Sequence, residues 1–324
     1  MASILSYLVR RILFAIPVFL VVSVVTFLIT NTVMDPVAIV RLGIKNMTPQ
    51  MAAELRTYFH LDQPVYIRYF YWLADFVRGN WGQSLYSGTV SSKVVPWIWT
   101  TLELQIPALL LSLGIGIPVG IYSAKRQYSK SDVAVTTTAI FGVSMPTFWI
   151  GIMLIILFAS TLHWLPAYGA LTDINTQPYI GGNVVFDALA HLVLPLFVLT
   201  FVSLAAIVRL VRANMLDALR QDYVLAARAS GVPESRVTYR HALKNAITPV
   251  VTVVGLSFGT LLAGAPGLET TFSWPGLGYE FVQVANTLDL PVIQAITMII
   301  TIMVLIANVG TDLVYAYMDP RVRL

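Results

Sequence analysis

The residues that could do chemistry are few, and their spacing suits none of the common reactions. The four histidines, His60, His163, His191 and His241, are scattered, with no i, i+4 pair to grip a metal. The chain has no cysteine, which excludes disulfides, thiol catalysis and Cys-zinc sites. Neither a Gly-Lys-Ser/Thr phosphate loop nor a Gly-x-Ser-x-Gly nucleophile elbow occurs. Two acids fall inside apolar runs, Glu103 and Asp312, each near the end of its run and able to pair with a neighbouring Arg or Lys. No acid or base sits at the middle of a run, where a proton relay would need one. The expectation is no catalytic residue and no metal ligand.

The polar residues gather instead at 220–249, between two long apolar runs. Arg220, Arg228, Arg236, Arg240 and Lys244 stand there against only Asp222 and Glu234. The spacing predicts a short helix ending at Gly231, since glycine tolerates the left-handed C-cap. A second helix starts near Pro233, because proline suits a first turn. A basic helix–turn–helix between apolar runs belongs in water, where a partner can read it.

The elements that carry this stretch follow from composition. Of the 324 residues, 57% are hydrophobic and 11% charged, and mean hydropathy is +0.76. Soluble domains carry about 25% charged residues, so the class is an all-α polytopic membrane protein. Six spans are predicted: 12–30, 100–123, 134–161, 188–211, 246–265 and 291–317. The first is too long for a signal peptide and lacks a small-x-small cleavage site, so it is expected to stay. Ser144-Met145-Pro146 interrupts the third. Gly116-x-x-x-Gly120 and Gly255-x-x-x-Gly259 allow close helix packing. Residues 31–99 form a polar, aromatic-rich insertion with helical pieces at 50–59 and 64–78 and a turn at 78–82.

Charge sets the expected orientation. Putting the N-terminus in the cytoplasm places fourteen of the twenty Lys and Arg inside, seven of them in 209–245. The other six all lie in 31–99, longer than the roughly 60 residues over which the positive-inside bias holds. Both termini are therefore expected in the cytoplasm. The net charge of +4 reads as membrane topology, not nucleic-acid binding.

Several motifs in order along the chain resemble the permease subunits of ABC importers of the dipeptide/oligopeptide/nickel class, and more narrowly the first permease of their pair. These are Arg10-Arg11, Leu61-Asp62-Gln63-Pro64, Gly79-Asn80-Trp81-Gly82-Gln83-Ser84, Ser144-Met145-Pro146-x-Phe148, Tyr223 to Gly231, Glu269 to Gly278, and Asp319-Pro320-Arg321-Val322-Arg323. Ala226, Ala227 and Gly231 match the family's E-A-A-x-x-x-G loop, with Leu225 at the glutamate position. Val33-Met34-Asp35-Pro36 stands where the family tends to have Pro-Gly-Asp-Pro, and Pro266 replaces a small or aliphatic residue.

The resemblance implies a membrane domain divided as 1–30, an extracytoplasmic insertion 31–99, and a permease core 100–324 with its coupling loop near 212–245. It implies that Tyr223, Ala226, Ala227, Arg228, Gly231 and Arg236 dock into a cytoplasmic ATPase. Glu269, Phe272, Trp274, Gly276 and Gly278 would form an outer loop that meets a binding protein or helps close the outer gate; a turn that only caps spans is the competing reading. Implied partners are a homologous second permease, two ATPase subunits, which bind the ATP and magnesium, and an extracytoplasmic binding protein. The chain itself would hold no cofactor. Dipeptides or oligopeptides are the implied cargo, with oligosaccharides or nickel as alternatives. A stand-alone secondary transporter would need charged or unwound midplane sites and inverted repeats, and neither is evident.

Overall fold

The computed structural model describes residues 4–32, 37, 48–86 and 88–318. The matches at Val33 to Pro36 and Asp319 to Arg323 lie outside them. The described residues are helical apart from loops and one isolated antiparallel bridge between Gln83 and Thr89. The helices are α1 (Ile4–Thr32), α2 (Pro49–Tyr58), α3 (Val65–Val77), α4 (Val90–Lys125), α5 (Lys130–Ser144), α6 (Thr147–Leu154), α7 (Val184–Leu219), α8 (Asp222–Ala229), α9 (Glu234–Arg236), α10 (Leu243–Leu262), α11 (Pro266–Phe272), α12 (Leu277–Thr287) and α13 (Leu290–Met318). Wide π turns, Ile155–Thr161 and Val237–Ala242, extend α6 and join α9 to α10.

Four helices contain stretches long and apolar enough to cross a membrane: Leu8–Asn31, Val90–Lys125, Val184–Leu219 and Leu290–Leu313. A fifth span results if Lys130–Ser144 and Thr147–Thr161 are taken together across their 101° bend. Helix α10 occupies the position expected of a further span. The bend has a local cause. Proline disfavours helical backbone in the residue before it, and Met145 is extended at φ −87°, ψ 133°. Sequence alone left a kink and a break equally open here; the structure makes a break. Helix α4 starts at Val90, upstream of the apolar edge at 100, because Thr89 caps it by accepting from Ser92 N–H. Glu103 thus lies several turns into the helix, exposed, and Asp312 pairs with Arg11 at 3.1 Å.

The glycines of α4 set the principal packing. A Cβ on Gly116 would stand 2.8 Å from Ile207, and one on Gly120 2.7 Å from Val211. Backbone and α7 side chains therefore meet directly, as small residues four apart permit. Gly255 does the same for α10 against Thr311 of α13. At the end of the bundle near 220–249, Asp132 of α5 is 2% exposed and accepts both Nε (2.7 Å) and Nη2 (2.8 Å) of Arg212. It also accepts from Tyr128 N–H at 2.9 Å and from the Ser123 hydroxyl. This bidentate pair ties α4, α5 and α7 together.

Replacing Gly120 with Leu should force α4 from α7 and destabilise the protein by about 1–3 kcal/mol, the usual cost of overpacking. Thermal unfolding of the purified protein in detergent measures it. An unchanged transition would mean that the α4–α7 approach is not constrained at Gly120.

Candidate functional site

Two regions hold the residues that the sequence singles out. The first is the 220–249 stretch. Helix α8 ends on Gly231 at φ +74°. The Gly231 N–H donates to Arg228 O at 3.0 Å, and Val232 N–H reaches back to Ala227 O at 3.2 Å. This is the Schellman arrangement, and its left-handed residue is why glycine stands there. Pro233 precedes α9, as expected. Arg228 grips Glu234 through two bonds of 2.8 and 3.1 Å, bracing the turn, and the guanidinium holds the Glu234 carboxyl below its ordinary range.

One side chain roots this turn in the bundle. Val224 is fully buried in a cluster with Ile121, Val211, Met215, Val237 and Ala246. Ala227 packs partly against the same cluster. Tyr223, Ala226, Arg228, Gly231 and Arg236 are exposed, as is Leu225 at 51%. Five of the six expected docking residues therefore share an open surface, while Ala227 faces half inward. The helix is fixed beneath and bare above.

The second region is 264–279, organised around Glu269. Its carboxylate is fully buried, with Oε1 accepting from Ala265 N–H at 3.0 Å and Oε2 from Tyr279 N–H at 2.9 Å. Burial pushes this carboxyl above its ordinary range, against the pull of the N–H groups of Ala265, Tyr279 and Gly278. The glycines make room for it. A Cβ at Gly276 would lie 2.7 Å from Oε2, and one at Gly278 2.9 Å from Oε2 and from Pro266. Phe272 and Trp274 are 2% and 3% exposed. Trp274 Nε1–H donates to Thr100 O at 2.9 Å, and Leu277 N–H donates to Thr101 Oγ1 at 2.7 Å. The five expected residues thus come together, but the two aromatic rings point into the chain and pack beside Leu104, Ile150 and Leu194. The isolated protein offers neither ring as a surface anchor.

Other positioning residues escaped the sequence reading. Asp187 accepts from Thr172 N–H (2.7 Å), Thr172 Oγ1 (2.6 Å) and Ile180 N–H (3.0 Å). Asp289 accepts from Ser84 Oγ (2.5 Å) and Leu85 N–H (3.1 Å). The available signal was an acid in or beside a loop with no nearby Lys or Arg in sequence. Between α4, α5, α7 and α10 runs a groove of about 660 Å3, lined by Leu109, Thr136, Ser203, Arg209, Arg212 and Val253 among others. Its polar residues lie toward the 220–249 end.

Among the described residues, a helical bundle with an open groove thus carries a braced, exposed surface helix. Residues 116–324 match the family model for the binding-protein-dependent transport system inner membrane component, and residues 4–90 match the model for the N-terminal part of such components. The chain belongs to this family and is a permease subunit, not an enzyme. It is similar to the oligopeptide transport system permease protein AppB of Bacillus subtilis, at 39% identity over 98% of this chain and 99% of that one. It is also 36% identical to the dipeptide transport system permease protein DppB of Escherichia coli K12, with the same coverage. In structure it resembles a chain of the inward-facing MetNI methionine ABC transporter, with TM-score 0.54 and 16% identity over 71% of this chain and 97% of that one. That likeness concerns the fold.

Glu269→Ala should leave the Ala265 and Tyr279 N–H groups without an acceptor, at about 1–3 kcal/mol each. Gly278→Ala should act in the same direction. Because the folded carboxyl titrates above its unfolded value, its contribution to stability falls as pH rises from the ordinary carboxylate range through the raised folded value. Glu269→Gln should flatten that dependence. Unfolding transitions across pH measure both effects, and a wild-type slope retained by the Gln variant would assign it to another group.

Proposed function

We propose that this permease forms half of the translocation path of an ATP-driven, binding-protein-dependent ABC importer of dipeptides or oligopeptides. The observation that carries the reading is α8, rooted by Val224 and exposed above, joining the spans α7 and α10. Full-length similarity to permeases named for oligopeptides and dipeptides supports the cargo class. In this reading Tyr223, Ala226, Ala227, Arg228, Gly231 and Arg236 couple the chain to an ATPase. Closure of two ATPases carries α8 as a rigid body, and the spans on either side of it lever the groove between two openings. The Leu225 departure is consistent with its exposure: docking rests on an apolar and basic surface without a glutamate.

The partners in this reading are a homologous second permease, two cytoplasmic ATPase subunits that bind ATP and magnesium, and an extracytoplasmic binding protein. Six spans cross the cell membrane, α10 among them, with both termini in the cytoplasm. Residues 31–99 form an extracytoplasmic subdomain between the first two spans. Glu269, Phe272, Trp274, Gly276 and Gly278 form the outer-gate element; the buried rings position it, and the glycines let the backbone close around the glutamate.

Two experiments test this reading. A Cβ at Gly231 meets no atom within 4 Å, so Gly231→Val acts only through its backbone, at about 1–2 kcal/mol for the left-handed conformation. Co-purification with the ATPase should be lost in this variant and when 223–231 is scrambled. If the ATPase stays bound to both, the coupling assignment is wrong. For topology, the lack of native cysteine allows single replacements at the exposed Ile174 and Tyr128. An impermeant maleimide applied to intact cells should label Ile174→Cys and spare Tyr128→Cys. The reverse pattern would invert the orientation.

A further inference from the structure

Helix α3 presents a stripe at i, i+3, i+4 and i+7, namely Arg68, Tyr71, Trp72 and Asp75. This stripe lines an open-sided cavity of about 330 Å3 whose other walls come from 57–60, from 80–83 with Trp81, and from α1 and α13, Gln294 among them. The cavity lies apart from the groove between α4, α5, α7 and α10 and shares no residue with it. Its volume falls within the range of small-ligand sites.

The cavity holds one charge of each sign, Arg68 and Asp75. Arg68 is nine-tenths buried, and its Nη2 donates to Asn31 Oδ1 at 2.5 Å. Asp75 is half-buried, and its carboxylate makes no hydrogen bond or ion pair with the described residues. The surrounding walls are fixed. Tyr71 carries the His60 ring stacked on it at 5.0 Å, Trp72 packs on Phe27 and Phe76, and Phe76 stacks on Trp81 at 6.0 Å. The Asp75 carboxylate beside ordered aromatic rings suits a cationic guest held on the side of the cavity away from Arg68. An ammonium group gains from the carboxylate and from ring faces together, and an attached apolar body fills the rest.

We propose that this cavity is a binding site for a small molecule bearing a primary ammonium group, with Asp75 as its counter-ion and Tyr71, Trp72 and Trp81 as its walls. A strongly hydrated metal cation is a poorer guest, because the rings cannot replace its water. The site stands or falls independently of the cargo assigned above, since it requires neither the groove nor α8.

The test uses the purified full-length protein in detergent, titrated with phenethylamine while tryptophan emission is followed, because Trp72 and Trp81 line the cavity. The expected result is a saturable change that N-acetylphenethylamine, which lacks the charge, does not produce. Asp75→Asn preserves shape and should weaken binding roughly 10- to 100-fold, the scale of a lost charge-assisted contact. Trp72→Phe keeps an aromatic wall with a weaker cation–π face and should weaken binding by a smaller factor, which keeps the test open if Asp75→Asn fails to fold. The proposal is overturned by no saturable change in the wild type, by an equal response to the acetylated compound, or by wild-type affinity in either folded variant.

Discussion

Buried carboxylates that gather backbone N–H and hydroxyl donors from loops fasten one end of this molecule. The loops 162–183 and 266–289 contain no Lys or Arg. Yet Glu269 and Asp289 within them, and Asp187 in the first turn of α7 beside them, are each 0–1% exposed. A buried anion is costly unless it is bonded, and a loop folded onto a helix end has N–H groups that need acceptors. The two needs cancel. Asp187 gathers the loop at Thr172 and Ile180 onto the start of α7. Glu269 closes the turn between Ala265 and Tyr279. Asp289 fastens residues 84–85 to the start of α13, with Lys93 donating to Ser84 Oγ at 2.9 Å.

At the opposite end the buried Asp132 is neutralised by both arms of Arg212, while the exposed Glu234 pairs with Arg228. The contrast matches the sequence, in which 162–183 and 266–289 hold no Lys or Arg while 209–245 holds seven.

Much of this was legible in the sequence. The helical pieces expected at 50–59 and 64–78 lie within one residue of the observed 49–58 and 65–77, and the Gly231 cap and the start after Pro233 also follow from local residues, because caps and turns are decided within a few positions of backbone. The gathering of Glu269, Gly276 and Gly278 was visible as a motif, but its purpose was not. Only the fold shows that the glycines are absent side chains around a carboxylate, and that Phe272 and Trp274 turn inward. The same limit hid the Asp132–Arg212 pair, whose partners lie 80 positions apart.

The sequence by itself determined the class of the protein, the apolar runs, the bias of basic residues toward one end and the cap that shapes α8. These are properties of composition and of neighbouring residues, and bilayer physics reads them directly. Tertiary structure alone decided that the helices 130–144 and 147–161 meet at a 101° bend, that Val224 roots α8 while Tyr223 and Leu225 stay bare, and that Asp75 faces a cavity without a partner among the described residues. Each of these depends on which distant side chains arrive at the same place, and spacing along a chain carries no record of that.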